Sequence, residues 1–209
     1  VVAAHFHAGL VQRLVGSRSS RYEQPEAVLP VPAGCIAVFL QTETHRAVGE
    51  LCYLTMRRMI KSLLERDDPR AIVVKLHPRD SDLATLAWLA QKARKDKRLQ
   101  IIPGNIHDIL AACDVVVTIN SAVGVEAFLH CKPVVLCGHA DFHHCAVTLR
   151  HGVQMDAAIT QAMTTDWPFE AFIYWSYALN CVSADAPDLV DKVAARIAAM
   201  GFALGLHRL

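Results

Sequence analysis

Five apolar runs of strand length alternate with stretches of helical spacing, and this alternation constrains the fold more than any other feature of the chain. The runs are Cys35–Gln41, Ala71–Leu76, Leu99–Ile102, Asp114–Ile119 and Pro133–Cys137. Runs that lack polar alternation are buried on both faces, as in a parallel sheet held between two layers of helices. Between the runs, Gly49–Arg66, Ser81–Lys95, Ile106–Cys113 and Ala122–Cys131 read as helices. The first places Leu51, Leu54, Met59, Ile60, Leu63 and Leu64 at helical spacing and breaks at Asp67-Asp68-Pro69. Asn105 with Asp108 three residues on reads as the capping pair of the third. Three more helices follow at Asp156–Thr165, Phe169–Val182 and Pro187–Met200. The expected fold is α/β, a Rossmann-like parallel sheet of about five strands flanked by helices.

Residues 1–34 break the pattern. A short helix is expected over Val1–Val15, then a loop rich in Gly, Ser and Pro that reads as an irregular amino-terminal segment or linker. Residues 35–209 are expected to form one domain, and with 53% apolar residues in a chain of 209 a substantial core is available. The net charge of +1, with no basic block interleaved with aromatics, argues against a nucleic-acid partner. The seven cysteines are scattered, odd in number and lack a C-x-x-C pair, which suits reduced, packed thiols in a cytoplasmic protein. No stretch approaches the roughly 20 apolar residues of a membrane span, and the start, with His5 and His7, lacks the basic region of a signal peptide. Membrane contact is therefore expected to be peripheral at most.

The polar motifs fall where the strands end. Asp114–Ile119 empties into Asn120-Ser121-Ala122-Val123-Gly124-Val125-Glu126, and Ala71–Leu76 into His77-Pro78-Arg79-Asp80. Asn105 and Gly138-His139 follow two further strands. In open parallel sheets, ligands sit outside the carboxyl ends of the strands, so this shared edge points to one site of nucleotide size. A helix start at Ala122 offers unpaired amides to a phosphate, Ser121 adds a hydroxyl, and Gly124 allows close approach. The same Ser121 geometry also serves a plain N-cap. Lys75 inside a β-branched run is either a snorkelling edge residue or a phosphate or carboxylate contact. Glu126 is either a solvated helix residue or part of the site. His139, Asp141, His143 and His144, between Cys137 and Cys145, match no standard zinc spacing. They read as a polar loop or as the neighbourhood of a ligand, and neither metal nor cofactor is expected.

These motifs, taken in order, carry a resemblance. Lys75-Leu-His77-Pro78-Arg79-Asp80, Asn105-Ile-His-Asp108, the Asp114–Ala127 stretch and Lys132-Pro133-Val-Val-Leu-Cys-Gly138 together resemble capsule polysaccharide biosynthesis proteins over residues 36–145. Leu40-Gln41 is similar to that family's leucine-glutamine motif, although Leu76 and Thr42-Glu43-Thr44-His45 depart from its usual pattern. The histidine-proline and asparagine-serine pairs also resemble bacterial sialyltransferases.

The resemblance implies a GT-B-like glycosyltransferase, or its donor-binding half, using a CMP-activated acid sugar, CMP-Kdo foremost, in capsule assembly. It implies that Lys75, His77, Pro78, Asn120, Ser121, Ala122, Gly124 and Glu126 hold the donor nucleotide and phosphate, with Gln41 and His139 near the donor sugar. It further implies a lipid-linked glycan acceptor and other capsule-assembly proteins as partners, and a place in the cytoplasm at or near the inner membrane. The motifs lie in the carboxyl-terminal half of such enzymes, so the amino-terminal half is expected to be missing or reduced to residues 1–34. Two other readings stay open: a non-catalytic nucleotide-sugar or polysaccharide-binding module, and a UDP-sugar transferase or epimerase.

Overall fold

A computed structural model describes residues 1–41, 51–79 and 82–202. Its centre is a six-stranded, wholly parallel sheet in the order β3-β2-β1-β4-β5-β6. The strands are β1 Cys35–Phe39, β2 Ile72–Lys75, β3 Leu99–Ile101, β4 Cys113–Thr118, β5 Val134–Leu136 and β6 Val147–Thr148. The first five lie in the five apolar runs of the sequence. The sixth was not expected, because two residues pairing Val147 with Val135 and Thr148 with Leu136 make too short a run to stand out.

The helices are α1 Val2–Leu10, α2 Met56–Leu64, α3 Leu83–Lys95, α4 Ile106–Ala112, α5 Val123–Leu129, α6 Met155–Thr164, α7 Phe169–Ile173 and α8 Leu189–Ala199. Both α1 and α7 run on into π-helical turns, over Val11–Val15 and Tyr174–Leu179. Side chains alternate across the sheet, so each strand feeds two cores. Ile36, Val38, Val74, Val115 and Val117 pack with residues of α2, α3 and α6. Cys35, Ala37, Phe39, Val73 and Val116 face the layer of α4, α5 and Ile173 of α7. Strands buried on both faces explain why their sequences show no polar alternation.

The start of one helix differs from expectation. Helix α2 starts at Met56, where Thr55 accepts a hydrogen bond from the Arg58 amide, rather than at Gly49. Residues 49 and 50 lie outside the described residues, as do the departing residues Thr42–His45 and Asp80. The stretch just before α2 is drawn to the sheet instead: the amides of Tyr53 and Leu54 both donate to Cys137 O, and Cys52 bridges Gly138. At the amino terminus, α1 packs on α7, and buried His7 places Nε2 3.1 Å from Phe128 O.

Chain reversal of the strand order occurs between β1 and β4. Connections leave these neighbours in opposite directions, and the crevice opened there is where such sheets admit ligands.

Candidate functional site

A cavity of about 500 Å³ opens at this switch point. Phe39, Leu40 and Gln41 reach it from the end of β1, Lys75, Leu76, His77 and Pro78 from β2, and Asn120–Val123 with Glu126 from β4 and α5. Ile106 closes it from the start of α4. Of the residues singled out in the sequence, Gln41, Lys75, His77, Pro78, Asn120, Ser121, Ala122 and Glu126 thus share one wall system. His139 does not; it lines a second cavity that touches the first only along Asn120 and Ala122.

Gly124 lines neither cavity. A Cβ there would lie 2.6 Å from Phe142 Cε2 and 2.8 Å from its Cζ, so the missing side chain admits the phenyl ring rather than a ligand. The helix start also differs from its expected form. Helix α5 has only seven residues, and Gly124 N and Val125 N donate to the carbonyls of Ser121 and Ala122 at 2.9 Å each. Ser121 Oγ accepts from Val123 N at a long 3.4 Å. With those amides already engaged, an anion in this cavity would depend more on side chains than on the helix dipole.

Those side chains carry distinct electrostatics. Lys75 is buried, and its ammonium donates to Gly104 O at 2.5 Å. Burial lowers its pKa, since a charged ammonium gains less from this setting than from water. His77 sits beside it; its Nδ1 accepts from the Arg79 amide at 3.1 Å, and Tyr22 meets its ring edge-on at 5.1 Å. Arg79 and Arg21 lie over the Tyr22 ring at 5.0 and 5.6 Å, so the mouth is cationic. Gln41 Oε1 accepts from Asn120 N at 3.2 Å, joining the ends of β1 and β4. Asn120 Oδ1, by contrast, is buried with no hydrogen-bond partner.

Among the carboxyl groups of the described residues, Glu126 is strongly perturbed. Burial raises its pKa from 4.5 to about 7, opposed by the hydroxyl of Ser20, which donates to Oε1 at 3.0 Å. His107 Nε2 stands 3.8 Å from the other carboxyl oxygen. That nitrogen lies 2.8 Å from Ser19 O, and a carbonyl only accepts, so Nε2 carries a proton. His107 Nδ1 meets His130 Nε2 at 2.9 Å. Burial, with His107 and Lys132 nearby, lowers the His130 pKa to about 4.

Ser20, Arg21, Tyr22 and Gln24 also line the first cavity, and sequence reasoning missed them. Arg18 anchors their segment through paired contacts to Asp108 at 2.6 and 3.1 Å. Gln24 Oε1 accepts from Ile106 N at 3.2 Å, and Asn105 Nδ2 donates to Arg18 O at 3.0 Å. A polar Ser/Arg/Gln loop looks like any solvated connection; its only hint was an aromatic residue, Tyr22, in its midst. Arg18 itself adopts a left-handed φ of 53°, unusual for a residue with a side chain.

The histidine-rich loop after β5 packs ring against ring, His139 to His143 at 4.8 Å and His143 to His144 at 3.9 Å. No group of three or more His, Cys, Asp or Glu side chains placed to share a metal ion occurs among the described residues. No helix among them is long and apolar enough to cross a membrane.

Comparison with known proteins gives three kinds of similarity. A family model described as capsule polysaccharide biosynthesis protein matches residues 17–173. A lipid-A-disaccharide synthase of Cupriavidus pinatubonensis (strain JMP 134 / LMG 1197) is 31% identical over 115 residues, which are 53% of this chain and 27% of that protein. Among solved structures, the UDP-GlcNAc 2-epimerase of Methanocaldococcus jannaschii superposes with a TM-score of 0.53 at 12% identity, covering 77% of this chain and 45% of its own. The KpsC β-Kdo 2,7 transferase of Thermosulfurimonas dismutans gives 0.51 at 19% identity, covering 82% and 52%. Anabaena Alr3699/HepE, solved with UDP-glucose, gives 0.53 at 14% identity, covering 92% and 52%. The chain spans about half the length of these structures and about a quarter of the curated relative.

Proposed function

Because the chain belongs to the capsule polysaccharide biosynthesis protein family, we propose that it is the donor-binding unit of a glycosyltransferase using a CMP-activated acid sugar, CMP-Kdo foremost. One observation carries this reading. Lys75, His77, Ser121 and Glu126, distant in sequence, converge on one cavity at the switch point of a parallel sheet. Lys75 supplies positive charge and N–H donors for the phosphate, His77 an N–H donor at Nε2, since its Nδ1 already accepts from Arg79 N, and Ser121 a hydroxyl. Glu126 accepts from, or when protonated donates to, the ribose hydroxyls. In the transfer, an acceptor oxygen bonds to the anomeric carbon as its bond to the phosphate oxygen breaks. CMP leaves with the electron pair, the acceptor hydroxyl proton passes to solvent, and a cationic wall stabilises the charge developing on the phosphate.

On this reading the acceptor is a lipid-linked glycan, and the protein works in the cytoplasm at or near the inner membrane alongside other capsule-assembly proteins. A second reading is a nucleotide-sugar-binding module without turnover of its own.

Titration calorimetry with CMP, CMP-Kdo and UDP tests the proposal. CMP-Kdo binding, with CMP preferred to UDP, supports it. Heat from neither CMP nor CMP-Kdo at millimolar ligand removes it, and UDP outcompeting CMP moves the chain to the UDP-sugar enzymes. Transfer to a lipid-linked acceptor by this chain alone removes the module reading.

A further inference from the structure

The second cavity, about 890 Å³, is lined by Asn120, Ala122 and Val125 and by the π-helical end of α7. Trp175 and Tyr177 lie along this wall 51% and 46% exposed, and Phe172 backs Trp175 with ring centroids 5.9 Å apart. Exposed aromatic rings that line a cavity offer an apolar, amphipathic face to a ligand. A π-helical turn, with its i→i+5 bonding, is itself common where function requires a side chain to be re-aimed. Asn120, His139 and Asp141 line the same cavity.

Asn120 gives the independent clue. Its Oδ1 is buried, lacks a hydrogen-bond partner and belongs to a residue shared by both cavities. A buried carbonyl oxygen without a donor is rare in folded proteins, and the group that satisfies it must bring an O–H or N–H. The Asp141 carboxylate is likewise an acceptor. Aromatic faces and hydrogen-bond acceptors lining one cavity fit a polyhydroxylated ring, with its C–H face on the aromatics and its hydroxyl protons toward the acceptors.

We propose that this second cavity is a saccharide subsite that holds the glycan acceptor, stacked on Trp175 and Tyr177 and donating hydroxyl protons to Asn120 Oδ1 and Asp141. The word acceptor rests on the donor reading of the first cavity. Asn120 and Ala122 form the partition, so a sugar in the second cavity lies beside a nucleotide sugar in the first.

Saturation-transfer NMR on the whole chain tests this, using Kdo, N-acetylglucosamine and methyl α-glucoside as separate probes at millimolar concentration, with and without saturating CMP. At least one sugar is expected to receive saturation from the CMP-loaded protein, and Trp175→Ala and Tyr177→Ala each to reduce that signal at least fivefold while the Kd for CMP stays within twofold. Both residues are about half exposed, so the variants keep the fold, checked by circular dichroism. CMP binding with no sugar signal overturns the subsite and leaves the donor reading standing. Displacement of the sugar by CMP overturns it too, since the sugar would then occupy the first cavity. Sugar binding unaffected by either substitution places the ligand elsewhere. Sugar binding in a protein that does not bind CMP removes the acceptor role along with the donor reading.

Discussion

Glu126 enters the folded protein as a carboxyl whose neutral form is favoured, because burial outweighs the Ser20 hydroxyl and lifts its pKa from 4.5 to about 7. The sign of the linkage follows. Its contribution to stability is fully present below pH 4.5 and is lost as pH rises through 7, amounting to about 3 kcal/mol at most. Glu126→Gln is therefore expected to raise the melting temperature at pH 8 and leave it nearly unchanged at pH 4.5, as read by thermal denaturation across pH. A rise of equal size at both pH values would mean that burial is not what perturbs the group. His130 works in the opposite window: its lowered pKa gives stability that is present above pH 6.5 and lost as pH falls toward 4. At the same scale, His77→Ala and Ser121→Ala are each expected to weaken CMP binding by about 1–3 kcal/mol, since each removes a hydrogen bond to a charged group. Calorimetry measures that, and a collapse of thermal stability in both variants would make them structural residues instead. Lys75 and His77 were legible in the sequence because polar residues that close an apolar run are conspicuous. Ser20 and Gln24 were not, because contacts to Glu126 and Ile106 across more than 80 residues leave no trace in local pattern.

At the level of elements, burial on both faces made the strands legible. Val115, Val116 and Val117 are each fully buried, and the buried polar side chain that follows them, Thr118, donates to Phe39 O. Boundaries set by tertiary contacts were harder to read. The pattern of leucines suggested that α2 began at Gly49, but the amides of Tyr53 and Leu54 are spent on Cys137 O, which holds that stretch against β5. Helix α7 reads as one segment through Val182, yet its second part winds as a π-helix, a change of hydrogen-bond pitch that apolar spacing does not record. Helix α5 is seated by the contact of Gly124 with Phe142, which in turn meets Phe128 edge-on at 5.8 Å. Gly124→Ala is thus expected to destabilise the protein by about 1–3 kcal/mol by overpacking, although alanine favours helix. Urea denaturation checks it; a stabilised variant would show that Phe142 yields freely.

Taken whole, the molecule concentrates its stability around the sheet and thins toward its carboxyl end. No residue of α8 is buried, and Val190 and Val193 are 72% and 41% exposed. Arg196 ties the helix to Leu179 O and to Asn180 Oδ1, contacts on the surface rather than in the core. Deleting residues 187–209 is accordingly expected to shift the melting temperature by less than about 4 °C, whereas a larger fall would mean that this helix shields the core. Hydrogen exchange on the intact chain gives a second check, with α8 amides exchanging well before those of β4. The margins of the sheet have a further consequence. One border strand has three residues and the other two, so either rim offers a neighbouring molecule barely one pair of backbone rungs. Growth by strand addition, the route to cross-β fibrils and open-ended polymers, is disfavoured at both sides.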